Sequence, residues 1–191
     1  DTAQVVELGP GSGSLMADML HIWAHTMPAM TDLPIQLVET SPQLRKIQKR
    51  RIQAESIAWH NGVQSLPNAP LFVVANEFFD ALPIDQAVWR QGEWRHRLVT
   101  NVNGTFCFVD GPALTPPELA NWQITNGYHN ITDGSVAEYC PAAKSIVQQI
   151  ASRIARHGGA CLIIDYGKND NISDSLQAVS SHQPVDLFYQ L

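Results

Sequence analysis

Short apolar runs alternating with helix-patterned segments constrain this chain more than any other feature. Ala3 to Leu8 (AQVVEL), Ile35 to Glu39 (IQLVE), Ser56 to His60 (SIAWH), Leu71 to Ala75 (LFVVA) and Ala160 to Ile164 (ACLII) each read as a strand. After the first run, Ser14 can cap a helix with Leu15, Met19 and Ile22 on one stripe and Met16, Leu20 and Trp23 on the next. Pro28 and Pro34 bracket the loop that follows it. Ser41 as N-cap and Pro42 at the first position open a second helix to about Ala54. Pro141 opens a third, striped by Ala143, Ile146, Val147, Ile150 and Ile154 and stopped by Gly158-Gly159. Strands that alternate with helices predict a parallel sheet covered on both faces. Right-handed crossovers then give an α/β, doubly wound, Rossmann-like architecture. Ligands in such sheets lie beyond the carboxyl ends of the strands, near the point where strand order reverses.

From Gln86 the period changes to two. VWR, QGE, WRHRLVT, a turn at Asn103-Gly104 and TFCFV read as a three-stranded antiparallel meander. Residues 110–137 are rich in Pro, Gly, Asn and Thr and read as an irregular excursion, and Ser173 to Ser181 as one more short helix. The 191 residues fit one domain, 1–191, with 86–137 as an inserted meander and excursion. With 45% hydrophobic and 16% charged residues, the composition excludes a disordered, collagen-like or coiled-coil chain. No apolar run approaches the roughly 20 residues of a membrane span. The net charge of −6 disfavours general nucleic-acid binding. Three cysteines without a CxxC spacing suggest neither a disulfide framework nor a zinc site, and point inside the cell. The sequons at Asn103, Asn130 and Asn171 then read as chance matches. The chain starts at Asp1 and enters a strand-like run within a few residues, which reads as a fragment.

The strand ends carry the candidate chemistry. Glu7-Leu8-Gly9-Pro10-Gly11-Ser12-Gly13 follows the first strand, and its glycines permit positive φ and close approach of a ligand to the backbone. The spacing is G-x-G-x-G and not the G-x-G-x-x-G dinucleotide fingerprint. The Glu7 carboxylate would repel a pyrophosphate and attract an amino-acid ammonium, which favours S-adenosylmethionine over NAD; the plain alternative is a tight strand-to-helix turn. Glu39, ending strand two, can accept both ribose hydroxyls of an adenosine group, or can simply be an exposed strand-end acid or the partner of a helix arginine. Asn61, after strand three, can bond an adenine edge or form an Asn-Gly turn without a ligand.

After strand four comes Asn76-Glu77-Phe78-Phe79-Asp80-Ala81-Leu82-Pro83. Spaced i, i+3 on a helical turn, Glu77 and Asp80 would face one side and clamp a planar guanidinium. The alternative is helix capping by Asp80 and core packing by the two phenylalanines. Glu138-Tyr139-Cys140-Pro141 and Asp165-Tyr166-Gly167 abut predicted element ends, and Arg45 to Arg51 reads as a solvated basic face. The seven histidines show no metal-ligand spacing, and no nucleophile elbow or phosphate-binding loop motif occurs.

Taken together, VVELGPGSGSL, QLVETSPQLR, ANEFFDALPI, EYCPAA and LIIDYG resemble the MidA-like family of class I methyltransferase-fold proteins, in the right order from Val5 to about Asp186. The resemblance implies binding of S-adenosylmethionine and, by analogy with a mitochondrial complex I assembly-factor member, methylation of a protein arginine. Ser12 stands where the family usually has a basic residue, and Cys140 where a small hydroxyl residue is usual. Family members also carry a segment before the glycine turn and further strands after the fifth, so the methyltransferase core expected here is incomplete, with strands one to five.

The expected reaction is methyl transfer with Glu77 and Asp80 as catalytic residues. Glu7, Gly9, Gly11, Gly13 and Asn76 would hold the methionine part, Glu39 the ribose and Asn61 the adenine. The expected partner is a protein substrate through its arginine side chain, with no nucleic acid and no membrane span; the oligomeric state is left open. The expected location is the bacterial cytoplasm, or the mitochondrial matrix in a eukaryote. Two rivals remain: a cofactor-binding assembly factor acting mainly by docking through the meander and excursion, and a nicotinamide oxidoreductase.

Overall fold

A computed structural model describes residues 2–122, 124, 131–166 and 174–188. In chain order the elements are β1 (Gln4–Leu8), α1 (Ser14–Thr26), β2 (Ile35–Val38), α2 (Pro42–Arg51), β3 (Ile57–His60), β4 (Leu71–Asn76), β5 (Asp85–Arg90), β6 (Glu93–Val102), β7 (Thr105–Ala113), α3 (Pro116–Asn121), β8 (Val136–Tyr139), α4 (Pro141–His157), β9 (Gly159–Ile164), β10 (Ala178–Ser180) and β11 (Gln183–Val185). They fall into two units: residues 1–82 with 142–166, and residues 83–141 with 167–191.

The first unit is built on a five-stranded sheet of order β3-β2-β1-β4-β9, parallel throughout. This is the α/β, doubly wound sheet expected of a class I methyltransferase core. Strand order reverses between β1 and β4, so the carboxyl ends of these two strands open the crevice where such sheets place ligands. The alternating side chains of β1 enter two cores. Val6 and Leu8 join Val38, Leu71, Val73 and Ala75 against Ile150 and half-buried Ile146 and Ile154 of α4. Val5 joins Ile35 and Leu37 against Met16 and Leu20 of α1 and Ile52 after α2.

The helices start largely where their signals stand. At α2 the Ser41 hydroxyl accepts from the Leu44 N–H at 3.3 Å and Pro42 opens the helix. The helix ends at Arg51 rather than near Ala54, because Ile52 turns extended and buries its side chain. Ser14 is the first residue of α1, not its cap; left-handed Gly13 occupies that position.

The second unit holds an antiparallel sheet of order β7-β6-β5-β8 over a core of Ala87, Trp94, Leu114, Trp122 and Ala137. β5 to β7 are the meander. β8 is a fourth strand that pairs antiparallel with β5, and α3 interrupts residues 110–137, so this stretch is less irregular than its composition indicates. At α3, Glu118 accepts from both the N–H and the hydroxyl of Thr115, the physical basis of a T-x-x-E helix start. The helix expected over Ser173 to Ser181 is replaced by the β10–β11 hairpin. Ser181 and His182 adopt φ of 50° and 61°, and two successive left-handed residues close a hairpin turn whose twist matches its strands. Ser173, Gly167 and the sequons at Asn130 and Asn171 lie outside the described residues.

The passage from α4 into β9 leaves no room for a side chain. Gly159 has φ 117°, and a Cβ there would stand 2.0 Å from the Leu71 carbonyl oxygen. Gly159→Ala is therefore expected to destabilise the chain by about 3 kcal/mol or more, through backbone strain and displacement of β9 from β4. Urea unfolding checks this; a change within about 0.5 kcal/mol, the range of an inert surface substitution, would contradict it.

Candidate functional site

At the carboxyl end of β1 a glutamate is buried. Glu7 is 3% exposed, and among the described residues its Oε2 has no hydrogen-bond partner. Burial disfavours the charged form and raises its pKa from 4.5 to about 7. The glycine turn follows with φ of 60°, 52° and 79° at Gly9, Gly11 and Gly13, the left-handed conformation that the sequence anticipates. The space beside each glycine differs. A Cβ on Gly9 would stand 2.7 Å from the Phe78 ring, and one on Gly13 would meet Ile52 and Gln48 at 3.0 and 3.3 Å. Beside Gly11 there is open space among the described residues.

Glu39 follows β2 and is 8% exposed. Its Oε1 accepts from the Ser41 N–H at 2.8 Å, and its Oε2 from the Gln48 side-chain amide at 3.2 Å. Gln48, on α2, is fully buried; it also donates to the Gly11 carbonyl at 2.8 Å and accepts from the Trp59 indole at 2.8 Å. The helix arginine packed beside this site contacts the Glu39 backbone rather than its carboxylate. Arg45 donates to the carbonyls of Glu39 and His60 and, at 2.7 Å, to Oδ1 of Asn61. The basic stretch is thus more than a solvated face: Arg45 is a strut between the ends of β2 and β3. Arg51 donates to the Ser12 hydroxyl at 2.6 Å, so a basic group reaches the glycine turn from α2.

After β4 the chain bends rather than forming a helical turn. Glu77 has φ 47°, and both Glu77 and Asp80 are exposed. The argument that these carboxylates share a helix face therefore fails; their common setting is the loop at the end of β4. That loop is fastened from β9. The Glu77 N–H donates to the Ile164 carbonyl at 2.9 Å, and Asp165 Oδ2 accepts from the Phe79 and Asp80 N–H groups at 3.1 and 3.2 Å. Phe78 meets Phe79 edge-on and covers the Gly9 turn. Asn76 is half-buried at the end of β4. The ends of β1, β2 and β4 thus bring Glu7, the glycine turn, Glu39, Asn76 and the 77–80 loop to the same edge of one sheet.

The whole chain, residues 1–191, matches the family described as "Putative S-adenosyl-L-methionine-dependent methyltransferase". The chain belongs to this family. It is the MidA-like family that the motifs resemble. Among curated relatives, the mitochondrial protein arginine methyltransferase NDUFAF7 of Xenopus laevis is 30% identical over 96% of this chain and 47% of its own length. The Danio rerio protein of the same name is 31% identical over 96% and 48%. The chain spans about half the length of the curated relatives it matches. Among solved structures, a COG1565 superfamily member from Burkholderia thailandensis bound to S-adenosyl-homocysteine superposes with a TM-score of 0.69 at 27% identity, covering 87% of this chain and 42% of that one. Among the described residues, no helix is long and apolar enough to cross a membrane.

Gln48 and Arg45 are the members of this candidate site that carboxylates and glycines in the sequence do not point to. One signal was available for Gln48. It lies four residues after half-buried Leu44 and four before buried Ile52, so a polar side chain occupies the inward stripe of its helix.

The raised pKa of Glu7 has a pH signature. The carboxyl is tolerated when neutral, so its cost to folding is absent below pH 4.5, grows between pH 4.5 and 7, and is complete above that range. Glu7→Gln removes this titration. Its stability relative to the unsubstituted chain is expected to rise by about 3 kcal/mol between pH 4 and pH 8. Urea unfolding at the two pH values tests it; a difference that does not change with pH would show that Glu7 ionises without cost.

Proposed function

We propose that this chain binds S-adenosylmethionine at the carboxyl ends of β1, β2 and β4 and methylates a protein arginine. The observation that carries the reading is the buried Glu7 carboxylate with an oxygen lacking a donor, beside a glycine turn open at Gly11. An amino-acid ammonium supplies both the missing donor and the positive charge that ionised Glu7 needs. The family match and the S-adenosyl-homocysteine bound to the Burkholderia relative support the same ligand.

When bound, S-adenosylmethionine supplies a sulfonium-activated methyl group. The chain's own residues would bind and orient. Glu7, the Gly9, Gly11 and Gly13 backbone and Asn76 hold the methionine part. Glu39 would accept from the ribose hydroxyls, and Asn61, whose Oδ1 is already engaged by Arg45, would meet the adenine. A substrate guanidinium is protonated, so it must be held in line and must lose a proton. Glu77 and Asp80 are exposed carboxylates beside the cofactor edge, one available to hold the guanidinium and the other to take the proton. The relatives' names support the arginine substrate. A bacterial cytoplasmic location, or the mitochondrial matrix in a eukaryote, fits the same reading.

Calorimetric titration with S-adenosylhomocysteine tests the cofactor, with NADH as competitor; displacement by NADH would favour an oxidoreductase. Glu39→Ala is expected to weaken S-adenosylhomocysteine binding by about 1–3 kcal/mol. Unchanged affinity would reject the ribose role. For the clamp, Glu77→Gln is expected to leave cofactor affinity and melting temperature in place while turnover of a protein arginine substrate falls on the order of 10²-fold. Intact turnover, or parallel loss of stability and cofactor affinity, would remove Glu77 from the reaction. Binding without turnover over candidate protein substrates would favour a docking role for the same site.

A further inference from the structure

We propose that Gln48 is the positioning residue that fixes the Glu39 carboxylate for a ribose diol, with the Trp59 indole setting the orientation of the Gln48 amide. The inference rests on the cofactor reading above. A glutamine amide is nearly symmetric in shape but opposite in polarity at its two ends, so its neighbours decide which way it points. The Trp59 Nε1–H can only donate, and it lies 2.8 Å from Gln48 Oε1. The NH2 group must therefore face away from it, toward two groups that can only accept: the Gly11 carbonyl at 2.8 Å and Glu39 Oε2 at 3.2 Å. The reversed amide would set an oxygen against both acceptors and a donor against a donor.

The result is a buried side chain with two donated bonds and one accepted bond, linking the glycine turn after β1 to the acid after β2. Glu39 Oε1 is held independently by the Ser41 N–H. Among the described residues each carboxylate oxygen has one bond and retains acceptor capacity, the arrangement that two neighbouring hydroxyl donors require. The close packing of Gly13 on the Gln48 Cγ puts the amide at this depth, since a Cβ on Gly13 would stand 3.3 Å from that carbon.

The test is calorimetric titration of the full chain with S-adenosylhomocysteine and with its 2′-deoxyribose analogue, on the unsubstituted protein, Gln48→Ala and Trp59→Phe. Trp59→Phe keeps an aromatic ring and removes the orienting N–H, so it decides the question where Gln48→Ala does not fold. The unsubstituted chain is expected to prefer the ribose form on the order of tenfold, as for one charge-assisted hydrogen bond. Both variants are expected to lose most of that preference while affinity for the deoxy analogue stays nearly level. A preference retained in folded Trp59→Phe, or an equal loss for both ligands, would overturn the positioning role and leave Gln48 a packing residue. An unsubstituted chain that binds both ligands equally would overturn the ribose assignment and this inference with it. One that binds neither would overturn the cofactor reading itself.

Discussion

Strand β1 is hydrogen-bonded on both sides, to β2 and to β4, and the rest of the first unit is arranged by that constraint. The chain runs from β1 outward through β2 to β3, then returns to place β4 on the other flank. A buried parallel strand cannot end in an ordinary loop here, because helices cover both faces of the sheet and the chain must turn at once into α1. Left-handed glycines make that turn possible. Phe78, from the β4 side of the crevice, fills the space where a side chain on Gly9 would stand, and α2 packs against Gly13 from the β2 side. Of the three turn glycines Gly11 has open space beside it among the described residues, and that is where a ligand could approach the backbone.

The two acids at neighbouring strand ends sit in two different environments. Both Glu7 and Glu39 are nearly sealed from solvent. Glu39 is given donors by Ser41 and Gln48. Glu7 has an oxygen without one, and burial holds its pKa near 7. A satisfied carboxylate is a fixed acceptor, suited to hydroxyl groups that bring their own hydrogens. A deprived one is a seat for a cation, since an incoming positive charge recovers the desolvation cost that the empty fold carries. The sequence places a glutamate at both strand ends but cannot say which of them the fold supplies with donors.

The legible part of the fold follows from local patterns with a physical cause. The five core strands, the capped start of α2, the stripe of α4 and the meander's Asn103-Gly104 turn were all readable, because each depends on neighbours within a few residues. β8 was not, since its four residues, Val136–Tyr139, follow a stretch whose Pro, Gly, Asn and Thr content masks a short strand, and the pairing with β5 that makes them one is not local. The β10–β11 hairpin was missed for another reason: its turn uses Ser181 and His182 in left-handed conformations, which neither residue type advertises. At the candidate site the glycines and acids announced themselves by type. Gln48 and Arg45 did not, and Asp165 showed only its place at a strand end, because their importance lies in bonds that only the folded topology brings within reach.

Asp165 carries that point into the 77–80 loop. Glu77 sits in the left-handed region, a conformation costing on the order of 1–3 kcal/mol for a residue with a side chain. The strain is held by bonds from β9 and the residue after it: the Ile164 carbonyl receives the Glu77 N–H, and the Asp165 carboxylate receives the next amides at Phe79 and Asp80. The loop's backbone is thus fixed without using the Glu77 or Asp80 carboxylates. Were Asp80 serving as a helix cap, or Glu77 bonded into the loop itself, neither would be available to a substrate. Because Asp165 takes over the structural task, the two exposed acids stand at the end of β4 on a backbone that is held without them, and the proposed guanidinium site needs carboxylates left over from the structural task in this way.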